Sequence, residues 1–259
     1  QGAIDDALRH SMTKLSHLHF VSTQEYARRV IQMGEEPWRV SVTGSPGLDA
    51  IHKIEKLPRE AVFEKLGVPS DGPSMLVTFH PTTLLPDLGL SELEALIGVL
   101  DQMPDVSIIF TGVNADTGGA EFNARLQAFA AKRDNAIYHQ NLGQFLYMNT
   151  VQQVSMVVGN SSSGLYEIPS FGILTVNIGD RQKGRLRAKS VFDCAGTSSA
   201  ISAAITAAQS FSDPDVENPY GDGHSSARIV AALKHVSQTR EQADILLKKF
   251  VTLAMEPAQ

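Results

Sequence analysis

The chain has a single cysteine, Cys194. That excludes an internal disulfide and any metal site built from several thiolates, and it fits a reduced, cytoplasmic setting. No apolar run reaches the roughly 18 residues of a membrane span, and the first residues do not read as a secretory signal. Cations are outnumbered, 22 Lys and Arg against 28 Asp and Glu for a net charge of −6, which argues against a nucleic-acid surface. HExxH, GxSxG, Walker A and GxGxxG patterns are all missing. No metal site is expected, and a serine hydrolase or a P-loop enzyme is a poor reading. What remains is an ordinary globular composition, 259 residues with 42% hydrophobic and 19% charged, enough to bury a sizeable core. Residue 1 is Gln and the sequence begins inside a helical pattern, so an N-terminally truncated chain is expected.

One stretch organises the rest. An apolar run, Val154 to Val158, breaks into Gly159-Asn160-Ser161-Ser162-Ser163-Gly164, and a short helical pattern from Leu165 to Phe171 follows. A buried parallel strand that ends in a small, hydroxyl-rich turn offers backbone N–H groups to an anion. The serine hydroxyls add donors of their own. Glu167 follows about one helical turn later, and a carboxylate there suits a pair of sugar hydroxyls because it accepts two hydrogen bonds. A strand–turn–helix joint merely capped by serine has the same local pattern.

The segments around it predict an alternating architecture. Helices are expected over 4–15, 23–33, 48–57, 90–103, 120–132, 142–152, 198–208, 225–235 and 239–254, with Thr23 as an N-cap and Gly34 as a C-cap. Strands are expected over 17–22, 39–43, 75–79, 106–110, 136–139, 154–158 and 174–178. Strands alternating with helices of this length imply a parallel sheet covered on both faces. Ligands bind beyond the C-terminal ends of such strands, which puts His80, Asn114, Ser161, Ser162 and the Gly179-Asp180-Arg181 turn on one rim. The Gly44-Ser45-Pro46-Gly47 break marks an interdomain joint.

Two charged features stand out. Arg181, Lys183, Arg185 and Arg187 fall within seven residues and read either as a solvated basic loop or, beside the serine turn, as a diphosphate clamp. Asp5 and Arg9 are four apart and share a helical face. They read as a solvated ion pair worth a few tenths of a kcal/mol, or, with Asp6 and His10, as an acid–base cluster.

Gly2 to His10, Thr78-Phe79-His80-Pro81, Gly159 to Gly164 and Val176 to Arg185 together resemble the hydrolysing UDP-N-acetylglucosamine 2-epimerases of sialic-acid and related nonulosonate pathways. The resemblance covers nearly the whole chain. It implies an α/β fold: the Rossmann-like C-terminal domain of a two-domain GT-B type fold, plus the tail of the N-terminal domain. The corresponding division is residues 1–45, a UDP-binding domain over 46–238, and a closing helix over 239–259 crossing back to the first domain. It further implies that His80, Ser161, Ser162 and Arg181 contact the diphosphate, Glu167 the ribose, and Asn114 and the Leu142 backbone the nucleoside. Asp5 and Arg9, with His80, take the catalytic positions. The implied reaction needs no metal or redox cofactor, and a homo-oligomer, dimer or tetramer, is expected. A GT-B glycosyltransferase and a non-catalytic nucleotide-sugar-binding module are the competing readings, and the Asp5-Asp6…Arg9-His10 motif favours the epimerase over the former.

Overall fold

A computed structural model describes residues 4–83, 85–113, 118–213 and 215–252, without the side chains of residues 4–6 and 52. The chain forms two units, Gln1–Lys53 with Pro219–Gln259, and Ile54–Asn218. Among the described residues no helix is long and apolar enough to cross a membrane.

The second unit is a six-stranded, wholly parallel sheet. In chain order its strands are β3 (Ser74–Thr78), β4 (Ser107–Thr111), β5 (Ala136–His139), β6 (Met156–Gly159), β7 (Leu174–Ile178) and β8 (Val191–Cys194), laid side by side as β5-β4-β3-β6-β7-β8. Alternation along each strand sends successive side chains to opposite faces. Met75, Val77, Ile108, Phe110 and Val158 therefore face one core, filled by Leu93 and Leu96 of α4 (Leu90–Asp101), Phe122 and Leu126 of α5 (Gly119–Ala130), and Ile201 and Ile205 of α8 (Ser198–Gln209). Leu76, Ile109 and Val157 face a second core, filled from α3 (Arg59–Leu66) and α6 (Gly143–Gln153). Both faces are covered, which is why β3 and β4 are buried along their whole length.

The first unit has two short strands among helices. α1 (Ile4–Leu15), β1 (His19–Val21), α2 (Gln24–Gln32) and β2 (Val40–Val42) are followed by a 3-10 helix, Pro46–Lys53, and later by α9 (Ser225–Thr239) and α10 (Gln242–Leu246). β1 and β2 pair in parallel. Thr23 caps α2, its hydroxyl accepting from the Tyr26 N–H at 3.2 Å. α9 is capped from a distance: the Asp49 carboxylate accepts the N–H groups of Ser225 (2.8 Å) and Ser226 (2.6 Å).

α3 and β8 are not expected from the sequence, and two of the expected helices are cut short. The helix expected over 48–57 ends at Lys53. Asn149, fully buried, captures the backbone beyond it by accepting from the Leu57 N–H at 2.8 Å and donating to the Glu55 carbonyl at 3.1 Å. The closing helix expected at the C-terminus shrinks to α10, and the described chain after it, to Thr252, is irregular. Its carbonyls are taken by Arg39, which is buried and donates to Asp244, Ile245 and Leu247 as well as to His17 O and the Glu36 carboxylate. A guanidinium that collects three carbonyls in one turn ends the helix there.

Candidate functional site

The strand order places β3 beside β6, and from that pair the chain runs outward in opposite directions. Such a switch point leaves a crevice beyond the strand ends. Thr78 and Gly159 are in register across it, so His80 and Asn160 emerge side by side. Gly159 has φ 141°, and a Cβ at this position would run into the Thr78 carbonyl. Only glycine lets the two backbones approach this closely.

Asn160 is the hub of the rim. It is fully buried, and its side chain clasps the end of β3 in both directions. Oδ1 accepts from the His80 N–H at 2.7 Å, and Nδ2 donates to the His80 carbonyl at 2.8 Å. Its own carbonyl accepts from Gln182 Nε2 at 2.8 Å and from Arg181 Nη1 at 3.2 Å. Gln182 is also buried, and its Oε1 accepts from Arg185 Nη1 at 2.6 Å. Arg185 in turn lies over the Tyr166 ring, 5.4 Å from its centroid. The remaining two cations of the loop pair with acids, Lys183 with Asp180 at 3.2 Å and Arg187 with Asp193 at 2.5 Å.

Beyond Asn160 the chain forms a tight turn into α7 (Ser163–Tyr166) and a short 3-10 helix, Ile168–Phe171. The carbonyls of Ser161 and Ser162 accept from later N–H groups of that turn. No hydrogen bond among the described residues uses the N–H of Ser161 or Ser162 themselves. Gly164 packs against β7, where a Cβ would come within 2.7 Å of Thr175 Cγ2.

Glu167 ends this turn. Burial raises its pKa above the usual carboxylate value, and hydrogen bonding from the Ser163 hydroxyl works against that rise. Its Oε2 is buried and accepts no hydrogen bond from the described residues. Tyr147, from α6, places its phenol oxygen 2.6 Å from Ser163 Oγ, and burial pushes the phenol up to about 12. Glu92, in the first turn of α4, is a second carboxylate on the rim. Burial raises its pKa, helped by Asp87 and Asp180, and a Cβ on Gly179 would meet its Oε1 at 2.7 Å.

The structure thus brings His80, Ser161, Ser162 and Arg181 together through Asn160, with Glu167 a turn away. Leu142 stands apart from that clasp at the N-terminal end of α6, with the next N–H, of Gly143, bonded to Asn141 Oδ1 at 2.7 Å. Asn114 lies outside the described residues. Asp5 and Arg9 belong to the first unit, on α1; the Asp5 side chain is outside the described set, and Arg9 is exposed. Sequence reasoning gave no role to Asn160, Gln182 or Tyr147. For Asn160 a signal was present, an amide next to a glycine at the end of an apolar strand. Gln182 and Tyr147 act at separations that no local pattern records.

Residues 1–234 match the model of a protein family described as UDP-N-acetylglucosamine 2-epimerase. The chain belongs to that family. Within it, the chain is 40% identical over 193 residues to the GDP/UDP-N,N'-diacetylbacillosamine 2-epimerase (hydrolyzing) of Campylobacter jejuni, covering 74% of this chain and 50% of that protein. It is 33% identical over 248 residues to the polysialic acid biosynthesis protein P7 of Escherichia coli, covering 92% of this chain and 62% of that one. The chain therefore spans between half and about two thirds of the length of these relatives. Among solved structures, the MnaA–UDP co-structure from S. aureus aligns with a TM-score of 0.71 at 20% identity, over 88% of this chain and 61% of that one. That likeness confirms the α/β, Rossmann-like fold of the GT-B type.

Proposed function

We propose that this epimerase-family chain carries the nucleotide half of a hydrolysing UDP-sugar 2-epimerase, acting on UDP-N-acetylglucosamine or a 2,4-diacetamido analogue. The observation that carries the reading is the Asn160 clasp at the switch point. It fixes His80 and Arg181 beside the serine turn, where the N–H groups of Ser161 and Ser162 have no hydrogen-bond partner among the described residues, an arrangement suited to a diphosphate. Glu167 is then the acceptor for the ribose hydroxyls, with Asn114 and the Leu142 backbone at the nucleoside.

In this mechanism a base removes the C2 proton and the C1–O bond to UDP breaks on the opposite face, giving UDP and a 2-acetamidoglucal. Water then adds across the new double bond, OH to C1 and H to C2 with inversion, and releases the N-acetylmannosamine-type sugar. The negative charge that develops on the leaving diphosphate is the part this rim stabilises. Asp5, with Arg9, is assigned the proton chemistry at C2. The UDP-sugar is the partner proposed for the chain, which we further propose acts as a homo-oligomer in the cytoplasm.

The test is a proton NMR time course with each UDP-sugar in D2O. Saturation transfer onto the uracil and ribose protons is expected, and any turnover should yield UDP with a free sugar deuterated at C2. Absence of transfer to the uridine would overturn the reading. Sugar transfer to an acceptor with no free epimerised sugar would select a glycosyltransferase instead.

A further inference from the structure

A chain of three polar side chains, Tyr147 of α6 and Ser163 and Glu167 of the serine turn, is not used by the diphosphate reading. Tyr147 Oη lies 2.6 Å from Ser163 Oγ. Ser163 precedes Glu167 by four residues, and the Glu167 N–H donates to the Ser163 carbonyl at 2.9 Å, a helical spacing that puts the two side chains on one face of the turn. The Ser163 hydroxyl is the group that opposes the burial-driven rise of the Glu167 pKa. Chemistry sets the direction of the protons. An ionised carboxylate only accepts, so the Ser163 hydroxyl donates to Glu167 and its oxygen accepts the Tyr147 proton. The phenol holds that proton at any ordinary pH, because burial raises it to about 12. Each member is thereby committed to one orientation. Glu167 Oε2 is left over, buried and without a hydrogen bond from any described residue. A buried acceptor in that state is costly unless a ligand supplies the donor.

We infer that Tyr147 and Ser163 are positioning residues that lock the Glu167 carboxylate with Oε2 turned toward a vicinal diol, so that the site selects ribonucleotides over 2′-deoxyribonucleotides. The inference rests on the reading of Glu167 as the ribose acceptor and adds what orients it. A carboxylate held by one protein donor has Oε2 and a further lone pair for two adjacent hydroxyls. Removing the 2′-hydroxyl takes away one donor and leaves part of a buried acceptor unsatisfied. Without Tyr147, the Ser163 hydroxyl is free to rotate toward backbone carbonyls of its own turn, and the carboxylate loses its preset direction.

The test is calorimetry of UDP and 2′-deoxy-UDP with the whole 259-residue chain, comparing wild type with Tyr147→Phe, Ser163→Ala and Glu167→Gln. Wild type should prefer UDP by about tenfold or more, as loss of a hydrogen bond to a charged group implies. Tyr147→Phe and Ser163→Ala should each weaken UDP about three- to tenfold and 2′-deoxy-UDP, which keeps only its 3′-hydroxyl on the carboxylate, by less, so that the ratio falls toward one. Retained 2′-deoxy-UDP binding identifies a folded variant. If Tyr147→Phe fails to fold, Ser163→Ala decides alone. A full ribose preference in the folded variants overturns the inference, while sensitivity of that preference to Glu167→Gln leaves the ribose reading standing. A wild type that binds no UDP, or binds both nucleotides equally, overturns the underlying reading as well.

Discussion

At the scale of single residues, the rim depends on groups that do two things at once. Asn160 fixes the end of β3 with its side chain and the basic loop with its carbonyl, so the serines beside it are presented by a buried, fully bonded neighbour. The serines contribute hydroxyl donors whose value depends on the charge of the ligand, since hydrogen bonds to an anion are about twice as strong as neutral ones. Replacing both Ser161 and Ser162 by alanine should weaken UDP binding by roughly 1–3 kcal/mol while sparing thermal stability. Titration calorimetry checks it, and unchanged affinity would remove the diphosphate assignment. The hydroxyl turn was legible in the sequence because its small residues are contiguous and end an apolar run. The clasp was not, because the His80 and Gln182 partners of Asn160 are brought to it by strand order, which no spacing encodes.

At the scale of elements, legibility followed local pattern. β5 and β7 fall on the residues their patterns predict, 136–139 and 174–178, because β7 alternates Leu174, Val176 and Ile178 with Thr175 and Asn177, and β5 is a short segment set between the polar runs Arg133-Asp134-Asn135 and Gln140-Asn141. β8 and α3 left no such trace. β8 is a four-residue edge strand with an exposed aspartate at its third position, and α3 is eight residues opening directly after Pro58. The C-terminal pattern misled for a different reason: α10 stops where Arg39 takes its carbonyls, and Arg39 is about two hundred residues away in sequence. All five guanidinium N–H groups are used there, in a planar fork that lysine cannot reproduce. Arg39→Lys should therefore lower stability by about 2 kcal/mol, since buried carbonyls lose their donors. It should also raise hydrogen exchange across residues 242–251. Exchange unchanged in that segment would mean the carbonyls are satisfied without the fork.

At the scale of the molecule, the two units are stabilised by different means. The sheet unit has two apolar cores. The other unit has a sheet of only two three-residue strands and a buried ionic centre on Glu35, whose carboxylate binds Lys14 at 2.6 Å, Lys248 at 2.7 Å and His19 at 3.0 Å. Lys248 also donates to the carbonyls of Thr13, Lys14 and Ser16, and so caps the end of α1. Burial opposes ionisation of Glu35, but the hydrogen bonds from Lys14, Lys248 and His19 outweigh it and lower its pKa from 4.5 to about 2. A carboxyl depressed on folding contributes stability that is complete above its unfolded pKa and is lost as pH falls through its folded one. The window is thus from about 4.5 down to about 2, and the shift corresponds to about 3 kcal/mol. Trp38, the one tryptophan in the sequence, lies in the same unit as Glu35, so its emission reports this unit. Denaturant titrations followed at Trp38 should show Glu35→Gln less stable than wild type by about 3 kcal/mol at pH 7. The difference should shrink steadily below pH 4.5 and nearly vanish at pH 2. A gap of constant size across that range would mean that Glu35 stabilises the unit by packing and not by its charge.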